Sequence, residues 1–424
     1  MNRFACAALL FVSAALPAFG YIDPGTGSML FSFLTGIAVT LFFFLKNLII
    51  RLKTRGFRFG KESSGTGQGV VFHSEGGQYW NVFRPVIREF HQRGVPCLYC
   101  SSDRNDPGLS FVSDSVATRY IGEGNKAYRF LNFLEAEICV TTTPGLDVLQ
   151  FKRSPGVRHY AHILHAVTDA TLYRLFGLDY FDTVFLTGPY QAEDLRTLER
   201  LRGTPTKRLE VTGCTYLDEL AARSRKDVPT ADGRTVLLAP SWGENGILRR
   251  YGTSLLRPLA ESGYRLIIRP HPQSFISEAD VLRRLQEELA TYQTVEWNSD
   301  RENLSAMARS DILISDFSGI IFDYLFLFRR PVLYAKFDFD PRPYDAGDLD
   351  RAPWTFRIVE QVGHPLMETD FPRISELLDG LRDDREKTAV IDRVREEAYA
   401  HPGEAGKRIA DILLRLRKEL SPDH

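Results

Sequence analysis

Cysteine is scarce in this chain: there are five in 424 residues, and Cys6 falls in the first twenty. The other four, Cys97, Cys100, Cys139 and Cys214, are too few and too scattered to form a disulfide framework. Cys97 and Cys100 make a C-x-x-C, but it lies inside the apolar run Val95 to Cys100 and has no second pair. Strand packing is therefore preferred to a metal or redox site. Also lacking are an H-E-x-x-H pair and a glycine phosphate loop of the G-x-x-x-x-G-K-S kind. Neither a metal centre nor a P-loop nucleotide site is indicated. Charge of one sign is missing too, since 53 basic residues offset 54 acidic ones. That balance carries no footprint of a nucleic-acid binder.

What is present begins with a membrane address. Residues 1–20 carry Arg3, an apolar stretch and small residues at Ala18 and Gly20, the pattern of a cleavable signal peptide. Residues 21–55 hold a second apolar run, Met29 to Leu45, free of charge. With its flanks it reaches the ~20 residues a bilayer requires. Lys46, Arg51, Lys53, Arg55, Arg58 and Lys61 follow with no acidic residue among them. The positive-inside rule makes that end cytoplasmic. The expectation is a single-pass protein of the inner (cytoplasmic) membrane, with Tyr21–Ser28 outside and the bulk inside. A first stretch retained as another span leaves the bulk inside as well. A soluble secreted protein whose second stretch is a core helix conflicts with the basic flank.

Residues 56–69, rich in Gly, Ser, Lys and Thr, read as a linker. From Val70 the chain alternates strand and helix patterns. Strands are expected at Val70–His73, Val95–Cys100, Ile138–Thr142, Val157–His162, Thr183–Thr187 and Arg208–Thr212. Between them lie helical patterns, and the alternation predicts a parallel sheet covered on both faces. The polar stretch Lys226–Arg234, holding Pro229 and Gly233, marks a boundary. A second series follows, with strands at Val236–Ala239, Arg265–Arg269, Thr294–Trp297, Ile312–Ser315 and Val332–Ala335. The fold class is thus α/β of the GT-B type: Rossmann-like domains at 70–228 and 234–400 and a helical tail at 401–424.

The stretch Asp311 to Ala335 is central. The apolar run Ile312–Ile314 ends at Ser315-Asp316-Phe317-Ser318-Gly319, a turn with helix-capping residues, and Ile320 to Phe328 reads as a buried helix. A strand, a polar turn and a helix start offer free N–H groups to an anion, so a phosphate site is expected here. The bland alternative is that Ser318 only caps the helix and Asp316 only ends the strand. Asp323 counts against it, because a carboxylate in an apolar helix is costly unless it holds the turn or faces a site. Pro240-Ser241-Trp242 and Arg269-Pro270-His271-Pro272 end two other strands of the same domain, on the rim where such sheets bind ligands. In the first domain the corresponding rim carries Ser74–Gly77, Thr141–Thr143 and three histidines within His159–His165. His162 falls inside the expected strand and His165 just past its end, where hydrogen-bonded filler and a functional imidazole are both open readings.

The stretches Leu237–Trp242, Arg269–Pro272 and Ser315–Tyr334 together resemble the CDP-glycerol glycerophosphotransferase family, enzymes that prime and polymerise teichoic acids. The resemblance runs from about Arg158 to Phe371. It implies a GT-B fold and a membrane-associated cytoplasmic enzyme using a CDP-alditol donor and a lipid-linked or polymeric hydroxyl acceptor, with no metal or cofactor. By motif, His165 resembles the first-domain catalytic histidine, with Ala166 where that family usually has glycine. His271 resembles the second. Ser315, Asp316 and Ser318 match the donor-phosphate turn, with Gly319 in place of a usual serine, and Ser241, Arg269 and Asp323 support it. The implied reaction moves an alditol phosphate to a hydroxyl and releases CMP. Rival expectations are a nucleotide-sugar glycosyltransferase of the same architecture and a non-catalytic membrane adaptor.

Overall fold

The computed structural model describes residues 35–37, 40–41, 68–224, 233–300, 302–382, 384 and 386–421. The expected signal peptide lies outside these residues, as do nearly all of the anchor and linker and most of the Lys226–Arg234 boundary. Residues 1–65 form one compact unit and residues 66–424 another. In the first, the described residues are helical, and Thr40 Oγ1 donates to the Gly36 carbonyl at 2.7 Å. No helix among the described residues is long and apolar enough to cross a membrane.

The larger unit holds two sheets. Strands β1 (Gln68–Ser74), β2 (Cys97–Ser101), β3 (Val116–Tyr120), β4 (Ala136–Thr141), β5 (Val157–Ile163), β6 (Thr183–Leu186) and β7 (Arg208–Val211) build the first, in the order β3-β2-β1-β4-β5-β6-β7. The second comprises β8 (Thr235–Leu238), β9 (Arg265–Ile268), β10 (Val295–Trp297), β11 (Ile312–Ser315), β12 (Val332–Ala335) and β13 (His364–Leu366), in the order β10-β9-β8-β11-β12-β13. All the pairings are parallel. Parallel strands need crossover connections, and helices supply them. In the first lobe these include α1 (Trp80–Gln92), α2 (Asn125–Leu131), α3 (Tyr190–Arg202) and α4 (Thr215–Ser224). In the second they include α5 (Thr253–Glu261), α6 (Ala279–Leu289), α7 (Leu304–Arg309), α8 (Ile320–Phe328), α9 (Trp354–Val362) and α10 (Ile374–Leu381).

The central strands lie where the apolar runs predict, because burial on both faces demands such runs. Two strands carry no such signal, β3 and β13. Both are edge strands, bonded to one neighbour only. Val116–Tyr120 leaves most of its side chains partly exposed, and β13 contains Pro365, which an edge tolerates because one side of its ladder is unused.

In each sheet the strand order reverses at one place: between β1 and β4, and between β8 and β11. Crevices at such switch points are where doubly wound sheets take ligands. The loops there are Ser74–Gly77 and Thr141–Thr143 in one lobe, and Pro240–Trp242 and Ser315–Gly319 in the other. Four of the polar turns of the sequence therefore sit at the switch points, while the His165 and His271 loops follow the neighbouring strands β5 and β9.

The lobes share a core. Val167, Cys214, Leu217 and Leu220 of the first pack with Ile321, Phe322, Leu325 and Trp354 of the second. After α11 (Thr388–Ala398), the last helix α12 (Ala405–Glu419) returns to the first lobe. There Ile409, Leu413 and Leu416 join Phe83, Val86, Ile87 and Phe90. Gly406 permits the crossing, since a Cβ on it would come within 2.7 Å of Pro85 Cβ and 2.8 Å of the Pro85 backbone.

Candidate functional site

The turn after β11 divides its labour in a way its composition hides. Ser315 is fully buried, and its hydroxyl donates to the Ala239 carbonyl at 2.7 Å. Asp316 accepts N–H bonds from Ser241 (2.9 and 3.0 Å to its two oxygens), Phe317 (2.7 Å) and Ile247 (3.3 Å). Burial pushes its carboxyl up and these bonds oppose the shift. Ser315 and Asp316 thus knit the β11 turn to the loop after β8. This corrects the expectation that both offer themselves to phosphate, because the one donor of Ser315 is already spent. Nor does Ser318 cap the helix: Gly319 is the N-cap residue and no side chain caps it. The helical ladder begins at Ile321 N–H to the Ser318 carbonyl (3.2 Å), leaving the N–H groups of Ser318, Gly319 and Ile320 to an outside acceptor, since that of Phe317 is taken by Asp316. Half-buried Ser318 and Gly319 lie at that opening.

Arg269 is a brace. The residue is 7% exposed, and its guanidinium is bonded to Asn303 Oδ1 (2.6 Å), Asn298 Oδ1 and the Asp300 carbonyl (2.6 Å), all on its own lobe. His271 is exposed just beyond β9. Its Nδ1 accepts the Gln273 N–H at 3.1 Å, so the proton of the neutral ring sits on Nε2 as a donor. Desolvation lowers its pKa and Glu278 opposes that. Glu278 also accepts the Gly243 N–H at 3.1 Å, tying the Ser241 loop to the His271 loop. Asp323 keeps 6% exposure, its carboxyl has no hydrogen-bond partner among the described residues, and burial pushes that carboxyl to about 7. Its charge acts on Tyr216 and Cys214 of the first lobe, so it faces the other lobe rather than holding the turn.

In the first lobe the three histidines separate. His159 Nε2 pairs with Thr183 Oγ1 at 2.8 Å. His162, within β5 and fully buried, lies with Nε2 3.2 Å from Tyr173 Oη. His165 stands past the strand end, with Nδ1 3.3 Å from the same Oη and its ring edge-on to Tyr79, centroids 5.3 Å apart. The residue is half-buried, and desolvation of its ring in this recess lowers its pKa to about 4. It is a neutral imidazole at working pH.

The loop carrying His165 crosses to the second lobe. Tyr190 Oη shares its one proton between the carbonyls of Val167 (2.9 Å) and Thr168 (3.1 Å), and Gln191 Nε2 donates to the Thr168 carbonyl (2.8 Å). Thr168 Cγ2 lies 3.5 Å from where a Cβ on Gly319 would be, so this loop rests on the phosphate turn. The next residue, Asp169, accepts from the N–H groups of Trp354 (2.7 Å) and Thr355 (2.6 Å) and caps α9 from the opposite lobe. Tyr190 stacks on Trp354 with centroids 4.2 Å apart. A second bridge holds nearby, where Asp345 accepts from Phe176 N–H (2.7 Å) and pairs with Arg202 (2.8 Å). Tyr173, Thr168, Asp169 and Tyr216 carried no signal in the sequence; they stand in loops or at a helix start, and their partners lie on other elements.

Asp169→Ala is expected to lower unfolding stability by about 2 kcal/mol, the upper end for a lost cap, because the two N–H groups it serves are interior. Urea denaturation measures this. An unchanged midpoint would show that the cap holds nothing.

Beside the turn is a cavity of about 440 Å³ lined by Asp316, Tyr334, Phe337, Phe339, Arg351 and Phe356, among others; neither histidine borders it. Among the described residues no group of three or more His, Cys, Asp or Glu is placed to hold a metal ion.

Residues 197–414 match a family model described as CDP-glycerol:poly(glycerophosphate) glycerophosphotransferase. The match takes in His271, Ser315–Gly319 and Asp323 but begins after His165, so it starts later than the expected Arg158. Among solved structures, the wall teichoic acid polymerase TagF is 17% identical over 83% of this chain and 90% of its own, with a TM-score of 0.56. A variant of it soaked with CDPG is 19% identical over 88% and 96%, at 0.55. The UDP-GlcNAc 2-epimerase from Neisseria meningitidis bound to UDP-GlcNAc is 16% identical over 82% and 100%, at 0.53. At such identities the likeness is one of fold: two parallel α/β lobes of the GT-B kind. No curated protein matches the chain in sequence.

Proposed function

The chain belongs to the CDP-glycerol:poly(glycerophosphate) glycerophosphotransferase family, and from that premise we propose that it moves an alditol phosphate from a CDP-linked donor to a hydroxyl acceptor in cell-surface polymer synthesis. It is a transferase of the glycerophosphotransferase kind. The observation that carries the finer reading is the seating of the His165 loop on the Gly319 turn. It brings a neutral imidazole of one lobe toward the helix start that offers N–H groups in the other.

In this reading the donor diphosphate lies against the N-terminus of α8, where free N–H groups and the helix dipole stabilise negative charge. The acceptor oxygen attacks the phosphorus that bears the alditol, and the bond to the CMP phosphate breaks. The hydroxyl proton passes to His165. His271, with Nε2–H as donor, bonds to the leaving phosphate and supports the charge it takes up. Ser315, Asp316 and Arg269 act at one remove by holding the two rim loops in register, and Ser241 is placed by its N–H bonds to Asp316.

The acceptor is a lipid-linked or polymeric hydroxyl, and the catalytic unit works at the cytoplasmic face of the inner membrane. Supporting this are the uncharged run Met29–Leu45 and the basic residues after it. Protease added to sealed inside-out vesicles should digest the large unit, and complete protection would overturn the placement. For the donor, membranes holding the full chain are incubated with CDP-glycerol, CDP-ribitol, UDP-sugars and CMP-sugars, and nucleotide release is followed. CMP from a CDP-alditol is the expected outcome. Release from a nucleotide sugar alone would make the chain a glycosyltransferase, and release from none would make it an adaptor.

A further inference from the structure

The strands of the first sheet all run the same way, so their starts lie along one edge, opposite the rim that carries the crevice and the His165 loop. At that edge four large apolar side chains reach solvent. Phe133 leads into β4, Leu149 into β5 and Tyr180 into β6, while Leu201 lies at the end of α3 ahead of β7. Leu149 and Leu201 are 78% and 62% exposed, and Phe133 and Tyr180 nearly half. Exposed apolar residues are ordinary when scattered, but these stand on segments bonded to one another. Asn132 Nδ2 donates to the Gln150 carbonyl at 3.0 Å, and its Oδ1 accepts the Lys152 N–H at 2.8 Å. Arg153 donates to the Tyr180 carbonyl at 2.9 Å, and Arg202 to Asp179 at 2.9 Å. The four side chains therefore belong to one continuous surface.

Cations sit among them. Lys152, Arg158 and Arg200 are exposed and bond to uncharged oxygens: the carbonyls of Asp147 (2.8 Å) and Leu420 (2.7 Å), and Thr197 Oγ1 (2.9 Å). Among the described residues no carboxylate pairs with any of the three. Glu135, exposed beside Phe133, opposes them and leaves the surface positive. The chain coming from the uncharged run Met29–Leu45 and its basic flank also arrives here. It enters β1 at Gln68, whose register partner is Ala136 at the start of β4. Aromatic and aliphatic side chains interspersed with cations are what an anionic bilayer surface binds.

We propose that this edge of the first lobe docks on anionic lipid headgroups, with Phe133, Leu149, Tyr180 and Leu201 entering the headgroup layer and Lys152, Arg158 and Arg200 facing lipid phosphates. This rests on the membrane association proposed above. β5 climbs from Val157 at this edge to Ile163, two residues short of His165. At about 3.3 Å per residue, that strand sets the His165 recess roughly 20 Å from the lipid. An acceptor hydroxyl must span that distance, as the free end of a polymer does.

The test reconstitutes the full chain in vesicles holding phosphatidylglycerol and a lipid with a photoactivatable diazirine near its headgroup, and maps the adducts by mass spectrometry. Adducts are expected on the peptides carrying Phe133, Leu149, Tyr180 and Leu201 as well as on Met29–Leu45. Each Lys or Arg near an anionic surface favours contact about fivefold. Lys152→Ala and Arg200→Ala should each cut the adducts at this edge by up to that factor and leave those on Met29–Leu45 unchanged. Both side chains are exposed, so neither variant threatens the fold. Adducts confined to Met29–Leu45 would overturn the docking and leave the membrane association standing. A dimer joined through this edge, caught by an amine-reactive cross-link at Lys152 in place of lipid adducts, would overturn it too and assign the edge to a second copy. A chain with no adducts anywhere would sink the membrane association and the docking together. Adducts at this edge in a chain that inside-out vesicles shield from protease would keep the docking and overturn only the cytoplasmic placement.

Discussion

His165→Ala is expected to slow CMP release from CDP-glycerol by ~10²–10⁴-fold, the range for a positioned acid–base group. Burial holds the imidazole neutral, with a pKa of about 4. A base must be unprotonated to act, so the wild-type rate should show no loss from this group as pH falls from 8 to 5. His271→Ala is expected to slow turnover by a comparable factor for another reason. Its Nε2–H is fixed as donor by the Gln273 N–H on Nδ1, and removing it leaves the leaving phosphate one donor short. His271→Ala should also raise KM for the donor, whereas His165→Ala should not. Rates in purified membranes decide the matter; two variants at full speed would end the two-imidazole mechanism.

Asp323→Asn is expected to stabilise the protein. In the fold this carboxyl titrates near 7 instead of 3.8, and burial is the cause. The folded state therefore holds the proton more tightly than the unfolded one. Between pH ~4 and ~7 it binds more protons, so stability falls as pH rises through that window. A shift of about three units corresponds to roughly 4 kcal/mol lost above pH 7. Asparagine carries no charge at any pH, so the variant should gain about 2–4 kcal/mol at pH 8 and almost nothing at pH 4. Urea titrations at a series of pH values measure the slope, and parallel curves for both proteins would rule the argument out. A carboxylate so costly and so close to the lobe interface is what a cleft sacrificing stability for activity would carry. Reduced turnover of the stabilised variant would fit that view.

Much of this architecture is legible from residue order alone. Doubly buried strands must be apolar, so β8, β9, β11 and β12 announce themselves, and the helix at Ile320–Phe328 is bounded by the turn before it. The edge strands β3 and β13 escape because an edge asks little of its residues. Ser315 and Ser318 look equivalent on paper. Only the neighbouring strand reveals that Ser315 is committed to the Ala239 carbonyl while Ser318 stays at the opening. Asp316 reads as an anion-site residue and proves to be a clamp for N–H groups of Ser241 and Ile247.

Residue order by itself determined which segments are buried, which turns are polar, and that an odd carboxylate and two imidazoles need explaining, because periodicity and the cost of burying charge are local matters. Tertiary structure alone decided the strand order that puts those turns at switch points, the crossing of the His165 loop to Gly319, and the Tyr173 link between two histidines. Each depends on how separate strands and loops meet in space, even where, as for Tyr173 and its histidines, the residues are only 8 and 11 positions apart, and no local pattern records whether a hydroxyl's proton is already given away.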